Sequence, residues 1–178
     1  TAVPGFEVLG EIGRGGSGTV YLARQSSLGR RVALKVLSTR DVQLGERLLA
    51  EARLLADLHH PSIVNVIDTG VHEGQPWYAM AYCGGGTLEQ VLRRDGAMSE
   101  AQVIGVVATI ADALSALHRR GVVHRDVKPG NVLLGEDGAL YLGDLGTALD
   151  AKAERVTTSG TVLGTVGYSA PELVAGED

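Results

Sequence analysis

Between residues 6 and 37, apolar and polar positions alternate in three short runs, FEVLGEIG, TVYLARQ and RVALKVL, separated by a glycine-rich segment and by Ser-Ser-Leu-Gly. Side chains on a strand point alternately to its two faces, so this period of two predicts an antiparallel meander. The period then changes. In residues 41 to 58, DVQLGERLLAEARLLADL, Leu44, Leu48, Leu55 and Leu58 recur at helical spacing, and His59-His60-Pro61 ends the helix. Strand-like runs follow at 63 to 68 and 77 to 82. Three successive glycines in Cys83-Gly-Gly-Gly86 then mark a hinge, because neither regular element holds such a run comfortably. From Thr87 the pattern is helical again: Thr87 with Gln90, and Ser99 with Gln102, match capping boxes. Val103, Val106, Val107, Ile110, Leu114 and Leu117 form the stripe of a second helix that Gly121 stops. Val132 to Leu134 and Ala139 to Leu142, joined across Asp137-Gly138, read as an antiparallel hairpin.

That hairpin directs attention to residues 124 to 146, HRDVKPGNVLLGEDGALYLGDLG. A hairpin returns the chain to where it left, so Asn131 and Asp144 are expected side by side, with Asp126 on the preceding loop. Hard oxygen ligands in this arrangement suit Mg²⁺ and a triphosphate beside an attacking hydroxyl. The glycine segment, Gly13-Arg-Gly15-Gly-Ser-Gly18-Thr-Val20, lies between two strand-like runs. No helix follows it, as a dinucleotide fingerprint requires, and it lacks the Gly-Lys-Ser/Thr of a Walker loop. A lid over phosphates and a plain hairpin tip both remain open. Lys35 sits in Val32-Ala-Leu-Lys-Val, where alternation places it with Ala33 and Leu37. It is either a lysine on a solvated strand face or a desolvated ammonium that needs a carboxylate. Glu51 occupies the missing position of the leucine stripe. It is either that partner or a side chain reaching water at the stripe's edge.

Composition narrows the class. The chain has 178 residues, 44% of them hydrophobic, enough for a real core in one domain or two small lobes. A net charge of −5, without a long basic run, argues against a general nucleic-acid or polybasic membrane binder. No stretch is expected to reach the length of a membrane span, and a single cysteine, Cys83, fits a reducing cytoplasm. Lysine is rare: only Lys35, Lys128 and Lys152 occur among 16 basic residues. Where lysine appears, a compact, flexible ammonium is wanted.

In their order, these motifs resemble the eukaryotic-type protein kinases, in particular the bacterial serine/threonine branch: Gly13-x-Gly15-x-x-Gly18-x-Val20, Ala33-Leu-Lys35, Glu51, His124-Arg-Asp-Val-Lys-Pro-Gly-Asn131, Asp144-Leu-Gly146, Gly164-Thr165 and Ala170-Pro-Glu172. The resemblance implies an α+β bilobal fold. An N-lobe at 1–82, with an antiparallel sheet and the Glu51 helix, would be followed by a hinge at 83–86 and a mainly helical, incomplete C-lobe at 87–178. It implies transfer of the γ-phosphoryl of ATP, with Mg²⁺ or Mn²⁺, to serine or threonine hydroxyls of a protein substrate. Lys35, positioned by Glu51, would bind the α- and β-phosphates under Gly13, Gly15 and Gly18. Asp126 would orient the hydroxyl and accept its proton, Lys128 would neutralise the transferring group, and Asn131 and Asp144 would hold the metal. Met80 would be the gatekeeper, Ala81 and Cys83 would meet the adenine through backbone groups, and Val20, Ala33 and Leu133 would sandwich its ring. In the activation segment, 147 to 163, Thr157, Thr158, Ser159 and Thr161 are candidate phosphosites. A phosphate there would pair with Arg125, and self-association would permit autophosphorylation.

Two departures qualify the picture. Leu145 replaces a phenylalanine, an apolar swap compatible with function, and no aromatic occupies the glycine-loop tip. The family's fold continues past Ala-Pro-Glu with a buried helix and an arginine that pairs with the glutamate here at 172. The 178-residue chain alone is therefore expected to be aggregation-prone, with apolar surface on the helix at 99 to 120, and nearly inactive. A nucleotide-binding or interaction module without turnover is the rival reading. Small-molecule kinases, which share the Asp and Asn spacing, are disfavoured by Lys128 and by the Gly-Thr and Ala-Pro-Glu segment.

Overall fold

The computed structural model describes residues 3–16, 18–39, 45, 49, 52, 53, 56–144 and 168. The chain divides into two compact units, Thr1–Gly84 and Gly85–Asp178.

The first unit is built on five antiparallel strands: β1 (Phe6–Gly15), β2 (Gly18–Gln25), β3 (Arg31–Leu37), β4 (Val66–His72) and β5 (Gln75–Ala81), in the order β1-β2-β3-β5-β4. Val3, Phe6, Ala23, Val32, Leu34, Val36, Trp77 and Ala79 form its core. β3 lies in the middle of the sheet, and Val32 through Leu37 are all buried, so the two-faced reading of this run gives way to a strand covered on both sides. Phe6 meets Trp77 edge to face, ring centroids 5.3 Å apart. Gly70 lies opposite Trp77 in the ladder, and a Cβ there would come within 2.6 Å of the indole. Gly45, Leu49, Ala52, Arg53 and Ala56 are helical, and a Cβ on Gly45 would stand 2.6 Å from Pro76. Glycine thus lets this helix approach the sheet. The strand expected at 63 to 68 begins three residues later and runs on to His72. Ile63 and Val64 are buried outside the strand, and the strand ends in a tight turn with Glu73 and Gly74 both at positive φ (50° and 75°), the geometry that matches strand twist.

The second unit opens with α1 (Leu88–Asp95) and α2 (Glu100–His118), each starting at a complete capping box, Thr87 with Gln90 and Ser99 with Gln102. A 3₁₀ turn (Pro129–Asn131) leads into the hairpin of β6 (Val132–Leu134) and β7 (Leu140–Leu142). α2 buries Ile110, Ala113, Ala116 and Leu117, and it packs on β7. The stripe read from sequence is correct only in its second half: Val103 and Val107 are exposed, as is Ile104, at 44%, 61% and 61%. The expected apolar surface on this helix is therefore present. By length and composition α2 is also apolar enough to cross a membrane, which corrects the expectation that no stretch comes near a span. One such helix, with Asp112 midway and a face packed on β7, does not indicate a membrane span.

Gly85 and Gly86 are fixed by the hairpin. Gly85 N–H donates to Leu134 O (2.9 Å), Leu134 N–H donates to Gly86 O (2.9 Å), and Thr87 bridges to Leu133. A Cβ on Gly85 would come within 2.9 Å of Leu134, so this glycine is required for close approach and not for looseness.

Candidate active site

The cluster in the second unit is set up by the backbone around Asn131. Its N–H donates to Lys128 O (2.9 Å) across the 3₁₀ turn, and its carbonyl accepts from Gly143 N–H (2.9 Å), which extends the β6–β7 ladder by one step. Asn131 and the residue before Asp144 are therefore bonded neighbours, as the hairpin required. With its backbone held on both sides, the buried Asn131 side chain points one way. Nδ2 donates to the Asp126 carbonyl (2.7 Å) and to Asp126 Oδ2 (2.9 Å). Lys128 Nζ reaches the same Oδ2 at 2.7 Å. Neither bond uses Oδ1 of Asp126, and the Asn131 amide, committed through nitrogen, presents its oxygen elsewhere.

His124 completes the cluster. It is 1% exposed, and its two ring nitrogens join two segments. Asp126 N–H donates to Nδ1 (3.3 Å), so Nδ1 is the acceptor and Nε2 carries the proton, which it donates to Gly143 O (3.0 Å). Burial pushes the imidazole below its ordinary pKa, against the opposing pull of the Gly143 bond and the nearby carboxylates. The neutral ring so favoured fits both hydrogen bonds. His124 thus fixes Asp126 against the backbone that carries Asp144, a positioning role the sequence reading did not assign. The signal lay in view: a histidine two residues before the candidate base. Arg125 (φ 64°) and Asp144 (φ 50°) flank the cluster in left-handed backbone that costs about 1–3 kcal/mol at a non-glycine residue. Such strain persists only where surrounding bonds enforce it.

The other candidates lie in the first unit. Lys35 is 3% exposed on β3, between Val20 of β2 and Tyr78 of β5, so the solvated-face alternative is excluded. Its inferred pairing with Glu51 lies outside the described residues. Gly13 pairs with Val20 and Gly15 with Gly18 at the end of the β1–β2 ladder. The three glycines differ. A Cβ on Gly15 would meet nothing within 4 Å and one on Gly13 only Val20, whereas one on Gly18 would collide with the Val36 carbonyl oxygen. Gly18 serves the sheet; Gly15 leaves open space. Ala33 pairs with Leu22 and Met80, and Val20, Met80, Ala81 and Cys83 are half-buried. Ala81 donates its N–H to Asn65 O (3.0 Å), so any backbone bond it offers a ligand comes from its carbonyl. Leu133, in the second unit, is half-buried on β6. Thr157, Thr158, Ser159 and Thr161 lie outside the described residues.

A five-stranded antiparallel sheet carrying a buried lysine, followed by a unit in which an aspartate is held by a lysine, an asparagine and a histidine-clamped loop, defines the class. Residues 6–178 match the protein kinase domain model, and the chain belongs to that family. It is 42% identical over 180 residues to the serine/threonine-protein kinase PknJ of Mycobacterium tuberculosis, 43% identical over 175 residues to PknK and 39% identical over 172 residues to PknL of the same species. These alignments cover 97%, 97% and 95% of this chain, but the chain spans only 30%, 16% and 43% of the respective relatives. Members of the family use ATP and a divalent metal and act on proteins.

Proposed function

We propose that this chain is the ATP-binding and catalytic part of a serine/threonine protein kinase. The observation that supports this best is the Asp126 carboxylate, held by Asn131 Nδ2 at 2.9 Å and Lys128 Nζ at 2.7 Å on a loop that His124 ties to Gly143. In the proposed reaction a serine or threonine oxygen attacks the γ-phosphorus of ATP and a new O–P bond forms. The bond to the β,γ-bridging oxygen breaks, ADP leaves, and the hydroxyl proton passes to Asp126. Lys128, already within bonding distance of Asp126, stands where positive charge offsets the charge on the transferring group. Lys35 would contact the α- and β-phosphates, an ammonium desolvated on a central strand and therefore a strong electrostatic partner.

The donor set fits a hard divalent cation. The Asn131 amide nitrogen is bonded to Asp126, which leaves its oxygen as the ligand atom, and Asp144 adds a carboxylate one residue past Gly143. Bound there, Mg²⁺ would neutralise phosphate charge and align the γ-phosphoryl group. These residues, intact at Lys35, Asp126, Asn131 and Asp144, favour turnover over a binding module without catalysis.

The test is transfer of labelled γ-phosphate from Mg·ATP to a mixed serine/threonine peptide pool by the full-length protein. Asp126→Asn and Lys35→Ala should each lower the rate by about 10²-fold or more. Undiminished turnover in either variant would falsify the assignment.

A further inference from the structure

β5 ends at Ala81, which faces Val32 in the last pair of the β3–β5 ladder. One step further, where β3 begins, Arg31 and Tyr82 meet through their side chains: the guanidinium carbon stands over the phenol ring, 5.4 Å from its centroid. That distance is within reach of a cation–π attraction. Arg31 has a second neighbour on β2, Arg24, directly opposite it in the ladder. Like charges so placed repel. Arg24 is drawn the other way by Glu7 of β1, its cross-strand partner, with Nη1 3.5 Å from Oε2. Glu7, Arg24, Arg31 and Tyr82 therefore form one row across the sheet, with a carboxylate at one end and an aromatic face at the other holding the two arginines apart. Side chains alternate along a strand, so Arg31 lies on the same face of β3 as Ala33 and Lys35.

We propose that Arg31 is a positioning residue for the nucleotide: by stacking on Tyr82 it holds the backbone from Ala81 to Cys83 in the course that receives adenine. The inference rests on the kinase reading above, which sets the backbone groups of Ala81 and Cys83 against the base, and extends it to a side chain that touches no part of ATP. Tyr82 stands between those two residues, just past the last ladder pair. A brace on its ring therefore acts where the sheet's own pairing stops. A backbone edge fixed before the ligand arrives loses less freedom on binding, and the gain appears as affinity. Arg31 is exposed and Tyr82 half-buried, so the brace belongs with the weaker, solvated cation–π pairs. A purely structural role for Arg31, such as closing the end of β3, predicts a change in melting and none in nucleotide affinity.

The experiment uses the full-length protein, with steady-state phosphorylation of a serine/threonine peptide pool and calorimetric titration with Mg·ADP. Arg31→Ala should raise KM for ATP and weaken Mg·ADP binding by about two- to fivefold, while kcat and the peptide KM keep their wild-type values. Arg31→Lys retains a cation and should recover part of the loss. Tyr82→Phe retains the ring and should bind like wild type. Tyr82→Leu should match Arg31→Ala, and the double variant should lose no more than either alone. Unchanged nucleotide affinity in Arg31→Ala, losses that add in the double variant, or a fall confined to kcat would overturn the proposal and leave the kinase reading standing. Binding of Mg·ADP without phosphorylation of any peptide would overturn the kinase reading alone, and the calorimetric comparison would still decide on Arg31. A wild-type protein that binds no Mg·ADP would overturn both.

Discussion

The three motif glycines give a sharp test, because the structure assigns them different work. Gly18 has φ 155°, and it pairs with Leu37 of β3. A Cβ there would overlap the Val36 carbonyl oxygen and lie 3.0 Å from Leu37 Cα and 3.1 Å from the Val36 carbonyl carbon. All three are backbone atoms, which cannot rotate away as a side chain does, so β2 and β3 must separate locally. Overpacking of this kind costs about 1–3 kcal/mol, and a rarely adopted φ adds about 1–3 kcal/mol. With partial relaxation, Gly18→Ala should lose roughly 2–4 kcal/mol, or about 8–30 °C in the melting of the first unit. Gly15→Ala is the control: nothing lies within 4 Å of its added methyl, and its cost should stay within about 0.5 kcal/mol. Trp77 is the only tryptophan and is buried in the core of the same unit against Phe6, so its fluorescence reports this transition. Equal melting points for the two variants would show that the close approach of β2 and β3 at Gly18 is not real.

Other outcomes follow from single interactions. Asn131→Ala removes both bonds to Asp126 and leaves a carbonyl unsatisfied in a partly buried loop; chemical denaturation should register a loss of about 1–3 kcal/mol, and phosphoryl transfer should fall with it. Ser99→Ala deletes the acceptor for Gln102 N–H at the start of α2 and should cost about 1 kcal/mol, measured the same way. Burial holds the His124 pKa below the ordinary value of 6.5, so as pH falls below 6.5 the unfolded chain binds a proton that the folded chain resists. Stability should therefore decline from about pH 6.5 downward and be fully present above it. His124→Gln should flatten that decline, and an unchanged slope between pH 7.5 and 5.5 would count against the buried neutral ring.

Much of the site was legible because its geometry is local. Asp137-Gly138 fixes the hairpin, the hairpin fixes which residues meet at its base, and Asn131 and Gly143 follow from the register. Both capping boxes were legible for the same reason, since each is completed within four residues. What sequence patterns missed depends on partners far along the chain. Alternation left Lys35 ambiguous, because only the position of β3 inside the sheet covers both of its faces. β4 was misplaced because Ile63 and Val64 are buried without being paired in a strand, while Gly70 belongs to the strand to make room for Trp77. The stripe on α2 overreached at Val103 and Val107 for a related reason: periodicity says which residues share a face, but not how far along that face a neighbour extends.

The hairpin that orders the site is secured at its base, through Asn131 and Gly143, and again along β6 through Gly85 and Gly86. Its far end, Glu136 to Gly138, is exposed and shares none of those bonds. The chain thus separates a segment where drift is penalised from one where it is cheap. Lineages should accumulate length and sequence variation at that tip while the base stays constant, and a fluorophore or an inserted epitope placed there should travel with the catalytic loop without disturbing it.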